Sequence, residues 1–350
     1  MTASGLEASS VLRTIAIAGT ESLEAYLRPL RNILSGEITE LVINRPGEVW
    51  TESARGWERI DTPELTYPHL RQLASLVAHA TQQTVNEAMP RVSAALPTGE
   101  RVEAIIPPAA ESGTVSFTIR KPSHARFNLD DYDEMGFFDD IVVNDTGLTE
   151  QQKALMAYLA EGQYRKFLEL AVRSKQTILV SGPTGSGKTT FMKALVDLIP
   201  SDERLITIED TPELSLQQPN HVRLFYSSNA NNSLSKMTPG DLVRACMRMK
   251  PDRILPAELR DEAAYHFLAA CNTGHPGSIS SIHSNSPMDA IDRVITLARE
   301  YEKARSLSDS TLLATVRKTI DVVVQVGKVG HNRRITGIYY DPARSRSDLG

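Results

Sequence analysis

Thr177-Ile178-Leu179-Val180 runs into Gly182-Pro183-Thr184-Gly185-Ser186-Gly187-Lys188-Thr189, and Thr190-Phe191-Met192-Lys193-Ala194-Leu195-Val196 runs out. The apolar run reads as a short buried strand and the last run as an amphipathic helix. The segment between them fits G-x-x-x-x-G-K-[ST] without a mismatch, in the strand–loop–helix context that gives the pattern its meaning. Gly185 and Gly187 let the backbone curl so that successive N–H groups point inward at phosphate oxygens. The helix N-terminus adds its positive end. Lys188 can reach the β- and γ-phosphates, and the Thr189 hydroxyl can complete an oxygen shell around Mg²⁺. The candidate phosphate-binding residues are therefore Gly182, Pro183, Thr184, Gly185, Ser186, Gly187, Lys188, Thr189 and Thr190. A Gly-rich turn that binds nothing is the alternative, and the flanking strand and helix argue against it.

Beyond Thr149 short apolar runs alternate with helical patterns, which implies a parallel sheet covered on both faces. Strands are expected at 177–180, 204–208, 253–255, 278–282, 320–326 and 334–340. Helices are expected at 150–160, 163–174, 189–198, 239–249, 261–272 and 287–299. Before residue 121 the pattern differs. Leucines recur at helical spacing from Leu23 to Leu34 and again from Leu70 to Leu76. Strand-like runs fall at 41–44, 48–50, 57–60, 91–96, 101–106 and 115–120, punctuated by Pro and Gly. The expected division is a small α+β domain over 1–121, a linker over 122–148 and a P-loop α/β domain over 149–350. The linker is acidic and turn-rich, with Phe137-Phe138 as an embedded aromatic anchor.

The chain has 350 residues, 41% hydrophobic and 23% charged, with a net charge of −5. At about 100–200 residues per domain, that length suits two or three domains. The composition is that of an ordinary globular protein and excludes collagen-like and wholly disordered classes. The charge argues against a nucleic-acid-coating protein, although a local basic patch is compatible with it. Cys246 and Cys271 are the two cysteines. They have no metal-ligand spacing and read as buried free thiols in a reducing compartment. No run approaches the ~18 apolar residues of a membrane span. Met1–Ser10 has neither a basic nor an apolar leader region. A cytoplasmic location is expected.

Hydrolysis needs groups that place water and metal, and two acidic segments are suitably positioned. Ile206-Thr207-Ile208-Glu209-Asp210-Thr211-Pro212-Glu213-Leu214 puts acids at the end of a strand. Arg253-Ile254-Leu255-Pro256-Ala257-Glu258-Leu259-Arg260 ends an apolar strand in a carboxylate, the pattern of a Walker B element. Parallel strands deliver their C-terminal ends to the P-loop edge, so Glu213 and Glu258 can both face the γ-phosphate. There a carboxylate can accept a proton from water or hold Mg²⁺. Glu209 is the third acidic candidate, and a solvated acidic loop is the alternative for 209–213. In Thr273-Gly274-His275-Pro276-Gly277-Ser278-Ile279-Ser280-Ser281-Ile282-His283-Ser284, His283 ends a strand where it could sense the γ-phosphate. A lone histidine is as often structural.

These segments, in this order, resemble the secretion ATPase superfamily, the hexameric motors of type IV secretion, type II secretion and type IV pilus systems. Its Walker A loop, Asp box, Walker B element and His box match Gly182–Thr189, Thr207–Leu214, Arg253–Arg260 and Gly274–His283. The lead-in Cys246–Ile254 is also similar, and the resemblance covers roughly residues 90–330. Length and the small N-terminal domain point to the type IV secretion branch.

The resemblance implies a RecA-like P-loop domain, ATP and Mg²⁺ as ligands, and ATP as the only small-molecule substrate. It implies a homo-hexamer that energises transfer or pilus assembly in a type IV secretion or conjugation machine. The expected partners are an inner-membrane secretion-channel ATPase and a coupling protein. The expected place is cytoplasmic, peripheral at the inner face of the cytoplasmic membrane. The resemblance also implies that ATP sits between the N- and C-terminal domains of one subunit, where Arg101 and Arg120 match arginines that reach it from the N-terminal domain. One departure stands out: the family usually has Gly before the Walker B Glu, and this chain has Pro256-Ala257-Glu258. Pro256 cannot donate to a sheet ladder, which bears on the local strand geometry. The rival functions are a hexameric nucleic-acid translocase or helicase, and a nucleotide-switched adaptor with little turnover.

Overall fold

The computed structural model describes residues 21–123, 125–139, 141, 147–228 and 233–343. The N-terminal segment expected to lack a leader, and positions 124, 140 and 142–146 of the expected linker, lie outside the described residues.

The N-terminal part begins with helix α1 over 21–34. It continues with β1 (Glu40–Ile43), β2 (Gly47–Ser53), β3 (Gly56–Thr62), α2 (Tyr67–Ala80), β4 (Arg91–Ala95), β5 (Arg101–Ile105) and β6 (Ser116–Arg120). The strands form one antiparallel sheet in the order β3-β2-β1-β6-β5-β4. Leu23, Leu27 and Leu30 of α1 and Leu70, Leu73 and Val77 of α2 pack with Leu41, Ile43 and Phe117 of the sheet in one core. The leucine spacing read from sequence is thus the buried stripe of each helix.

Within the expected linker a short helix, α3 (Leu129–Glu134), starts at a capping box of Asn128 and Asp131. Phe127, Tyr132, Phe137 and Phe138 touch in series. Phe137 is 68% exposed and Phe138 44%, so the expected aromatic anchor is not buried within its own chain.

The C-terminal part contains α4 (Glu150–Ala160), α5 (Tyr164–Arg173), β7 (Ile178–Ser181), α6 (Lys188–Val196), β8 (Leu205–Glu209), β9 (His221–Phe225) and α7 (Pro239–Cys246). It ends with β10 (Arg253–Pro256), α8 (Ala263–Asn272), β11 (Ile279–Ile282), α9 (Pro287–Ala298), α10 (Asp309–Thr319), β12 (Val322–Val329) and β13 (Asn332–Tyr340). The fold is the expected α/β class. Strand β9 and helix α10 were not expected from the sequence. Cys246 is buried and Cys271 half-buried, both as free thiols; burial pushes the Cys271 thiol up to about 12.

Two ladders make up the C-terminal sheet, β10-β8-β9 and β11-β7-β12-β13, parallel except for β13. Pro256 explains the break between them. The amides of Arg253 and Ala257 donate to Arg204 and Ile208 on the β8 side, so those of Ile254 and residue 256 point toward β11. Residue 256 has no N–H to give. Serine side chains take over: Ile254 N donates to Ser278 Oγ at 3.3 Å, Ser280 Oγ to Pro256 O at 2.7 Å, and Ser281 Oγ to Ala257 O at 2.7 Å. The hydroxyl-rich segment 278–281 stitches the halves into the order β9-β8-β10-β11-β7-β12-β13.

The two parts of the chain meet around Arg204, which is fully buried. Its Nη1 donates to Asn44 Oδ1 and Asn220 Oδ1, each at 2.6 Å, and its Nε to Met249 O at 3.0 Å. Asn44 Nδ2 donates to Asn220 Oδ1 at 3.0 Å. Burial pulls the guanidinium down to about 10, still charged at neutral pH. Ile105, Ala109 and Ala110 join Ile206, Ile208 and Leu224 in a shared apolar core, and Phe225 N donates to Ala109 O at 2.8 Å. Arg204→Ala leaves two buried amides and a carbonyl short of their donor. It is expected to cost about 3 kcal/mol of unfolding free energy in urea, the scale of breaking a buried charged contact. A loss below about 1 kcal/mol, the scale of an ordinary hydrogen bond, would show that the apolar core and the other bonds between the two parts, such as Phe225–Ala109 and Lys250–Glu52, hold them together without Arg204.

Candidate active site

The loop after β7 has the curled backbone its glycines suggest, with φ of +73° at Gly185 and +96° at Gly187. These are left-handed conformations that favour glycine. Gly182 is required for a different reason: a Cβ there would collide with the Val326 carbonyl oxygen of β12. Ser186 is buried and its hydroxyl has no partner among the described residues.

Lys188 opens α6, and its side chain is buried. Its Nζ donates to Gly182 O at 2.9 Å and Pro183 O at 3.2 Å, and stands 3.2 Å from His283 Nδ1. Burial lowers the Lys188 pKa, and the charge of Glu258 opposes that shift. His283 Nε2 lies 3.5 Å from Glu258 Oε1. Glu258 Oε2 accepts from Arg260 Nη2 at 2.9 Å, and Arg260 Nη1 reaches Asp210 Oδ2 at 2.7 Å. The two carboxylates hold Arg260 firmly charged. A single polar chain therefore runs Lys188–His283–Glu258–Arg260–Asp210 along the ends of β7, β11, β10 and β8.

These residues, with Thr184, Gly185, Gly187, Thr189, Thr190 and Glu213, surround a cavity of about 290 Å³. Lys188, Thr189, Glu213, Glu258 and His283 are thus brought together as the sequence suggests. Gly182, Pro183 and Ser186 belong to the loop without lining the cavity. The Glu213 carboxylate has no partner among the described residues.

Three expected site residues lie elsewhere. Glu209 is fully buried. Its Oε2 accepts from the amides of Glu213 and Leu214 at 2.7 and 2.8 Å, and its Oε1 from Thr207 Oγ1 at 2.7 Å and Arg223 Nε at 3.3 Å. With its oxygens taken, Glu209 shapes the turn that presents Glu213 and does not face the cavity. Arg101 and Arg120 sit directly opposite each other on β5 and β6. They face separate space with Glu40 and Lys250, because the contact around Arg204 turns that end of the N-terminal sheet toward the α7–β10 connection. Glu40 is 3.5 Å from Arg120. Burial pushes its carboxyl up to about 7, against the pull of that arginine.

Asp210, Arg260 and Arg333 line the cavity without having been singled out. Arg260 follows Glu258 by two positions, the spacing that returns a side chain to the same side of an extended segment. Nothing in the linear sequence marks Arg333.

Among the described residues no helix is long and apolar enough to cross a membrane. A family model described as "Type II/IV secretion system protein" matches residues 24–329. The chain is 43% identical over 338 residues to the type IV secretion system protein VirB11 of Brucella suis, covering 95% of this chain and 94% of that one. It is 39% identical over 332 residues to the type IV secretion system protein PtlH of Bordetella pertussis, covering 91% and 95%. The crystal structure of the Brucella suis VirB11 ATPase in complex with sulphate superposes with a TM-score of 0.91 at 42% identity, covering 96% of this chain and all of that one. From the P-loop to the His-box strand, and across both parts of its fold, the chain belongs to the type II/IV secretion system protein family.

Proposed function

We propose that this chain is the Mg²⁺-dependent, ring-forming ATPase that energises a bacterial type IV secretion system, working from the inner face of the cytoplasmic membrane. The observation that carries this reading is the convergence of Lys188, His283, Glu258 and Glu213 on one P-loop cavity, in a chain matching VirB11 along nearly its whole length. The reading includes an inner-membrane channel ATPase and a coupling protein as partners.

The residues suit hydrolysis by positioning and electrostatics. Lys188 exchanges the Gly182 and Pro183 carbonyls for phosphate oxygens, gaining charge-assisted bonds in place of neutral ones. Loop amides and the N-terminus of α6 hold the rest of the phosphate chain. Glu213 is the uncommitted carboxylate and accepts the proton of the attacking water as its oxygen bonds to the γ-phosphorus, while the bond from that phosphorus to the β–γ bridging oxygen breaks and its electron pair leaves on ADP. Glu258 is already neutralised by Arg260 and lies beside His283, so it orients water and keeps His283 placed to register the γ-phosphate. Thr189 and Glu258 supply oxygen donors of the kind Mg²⁺ prefers, and that ion characteristically keeps waters and substrate phosphates as its other ligands. Bound there, it would neutralise charge on the β- and γ-phosphates.

Arg101 and Arg120 cannot share this cavity in their own chain, and both are exposed. In a ring they reach the ATP of a neighbouring subunit, where planar guanidinium groups clamp the transferring phosphoryl.

Lys188→Ala is expected to abolish steady-state phosphate release and weaken ATP binding. Glu213→Gln is expected to keep ATP affinity and lower kcat about 10²-fold or more, the scale of losing a general base. Full kcat in that variant would move water activation to Glu258. Glu209→Ala is expected to lower the melting temperature, since it strands two amides and the Thr207 hydroxyl and leaves Arg223 with Glu111 alone, whereas Glu258→Ala should melt near the wild-type value. For the arginines the measurement is a mixture: Lys188→Ala and Arg120→Ala subunits, each inactive alone, should regain phosphate release when combined. No regain would place the arginines outside the site.

A further inference from the structure

The order β9-β8-β10-β11-β7-β12-β13 puts the hydrolytic groups on one flank of the P-loop. Glu213 follows β8, Glu258 follows β10 and His283 follows β11, all on the same side of β7. On the other flank the β12–β13 hairpin extends past the end of β7. Gln325 is the last β12 residue paired with β7, opposite Ser181, and a bulge at Gln325/Val326 then redirects the hairpin. Bulges of this kind bend a strand and re-aim its side chains. Here the bend is locked to the loop, because the Val326 carbonyl occupies the space a side chain on Gly182 would need.

Arg333 is the hairpin residue that reaches the loop. A Cβ on Gly187 would lie 2.9 Å from Arg333 Cδ, and Arg333 lines the same cavity as Lys188 and Thr190. Among the described residues its guanidinium has no hydrogen bond or ion pair. Its cross-strand neighbour is Lys328, and like charges directly opposite each other destabilise a strand pair. A cation with no counter-ion among the described residues, held over an anion-binding loop beside a second cation, is arranged for an anion that arrives with the ligand.

Which part of the ligand follows from the flanks. The γ-phosphate belongs on the side of Glu213, Glu258 and His283. The loop amides cradle the α- and β-phosphates, so the opposite flank receives the α-phosphate and the nucleoside. We propose that Arg333 binds the α-phosphate, and that the β12–β13 hairpin forms the nucleoside wall of the site. That contact is common to ATP and ADP. It sets how tightly nucleotide is held and leaves the chemical step to the other flank. The inference rests on the P-loop cavity being the nucleotide site.

The experiment uses the full chain with Mg²⁺, titrated calorimetrically with ADP and with a non-hydrolysable ATP analogue, alongside steady-state kinetics. Arg333→Ala is expected to weaken both ligands by the same factor, about 10-fold or more for a lost charged hydrogen bond. KM for ATP should rise in parallel while kcat falls less than about threefold. Arg333→Lys should recover part of the affinity. Arg334→Ala serves as control and should bind as wild type, since Arg334 pairs with Gly327 and points to the other face of the hairpin. Loss of affinity for the triphosphate alone would overturn the proposal by placing Arg333 at the γ-phosphate. Unchanged affinities, or a fall in kcat at constant KM, would overturn it as well. Failure of the wild-type chain to bind either nucleotide would instead sink the nucleotide site itself.

Discussion

The buried ammonium of Lys188 is the charge around which the site is built. It has no carboxylate in direct contact, only two loop carbonyls and the Nδ1 of His283. The nearest negative charge, Glu258, stands behind His283 and is shared with Arg260. A carboxylate paired with Lys188 would compete with phosphate for the same three donors. Spacing the acids one residue away leaves the lysine available, while the charge of Glu258 still opposes the lowering that burial imposes on it. The same logic applies to Arg260, which takes up Glu258 and Asp210 so that two acids near a polyanion site do not repel the ligand.

That spacing depends on how β10 and β11 meet. A regular backbone ladder would fix the strands through their amides. Pro256 removes one amide, and Ser278, Ser280 and Ser281 replace the ladder with side-chain hydroxyls. Ala257 then keeps the approach beside Glu258 narrow in place of the family's usual glycine. The departure noted in the sequence is therefore paired with a compensation also present in the sequence, although only the structure shows that the two belong together.

The fold was legible where apolar runs are continuous and bounded. Ile178–Val180 and Ile279–Ile282 are buried on both faces and sit next to glycine-rich turns, so the strands declare themselves. Strand β9 did not, because His221 and Arg223 interrupt the apolar residues and face half-solvated surroundings. Helix α10 was hidden by its Ser- and Thr-rich first half. Within the site, motif spacing located Lys188, Thr189, Glu213, Glu258 and His283, since each ends a strand or begins a helix at the same sheet edge. It could not separate Glu209 from Glu213. Both are acids of one short segment, and only the hydrogen bonds show which is consumed in holding the turn. Arg333 was out of reach because its place depends on a bulge that no residue type announces.

Arg101 and Arg120 make the complementary point about scale. Their strands are rigid and their guanidinium groups exposed, which suits a clamp, yet the Arg204–Asn44–Asn220 contact fixes the N-terminal sheet so that they look away from their own P-loop. A buried guanidinium shared between two asparagines resists rotation, since moving either part would strand polar groups without water. With the intrachain geometry held in this way, the chain carries Lys188 and Arg333 to its own cavity and offers the two arginines outward. In the proposed ring, completing a phosphoryl clamp would require a second subunit, and hydrolysis would be tied to assembly. In such an arrangement the arginines would feel the state of a nucleotide across a subunit boundary, and the contact at Arg204 would carry their grip to the P-loop part of their own chain.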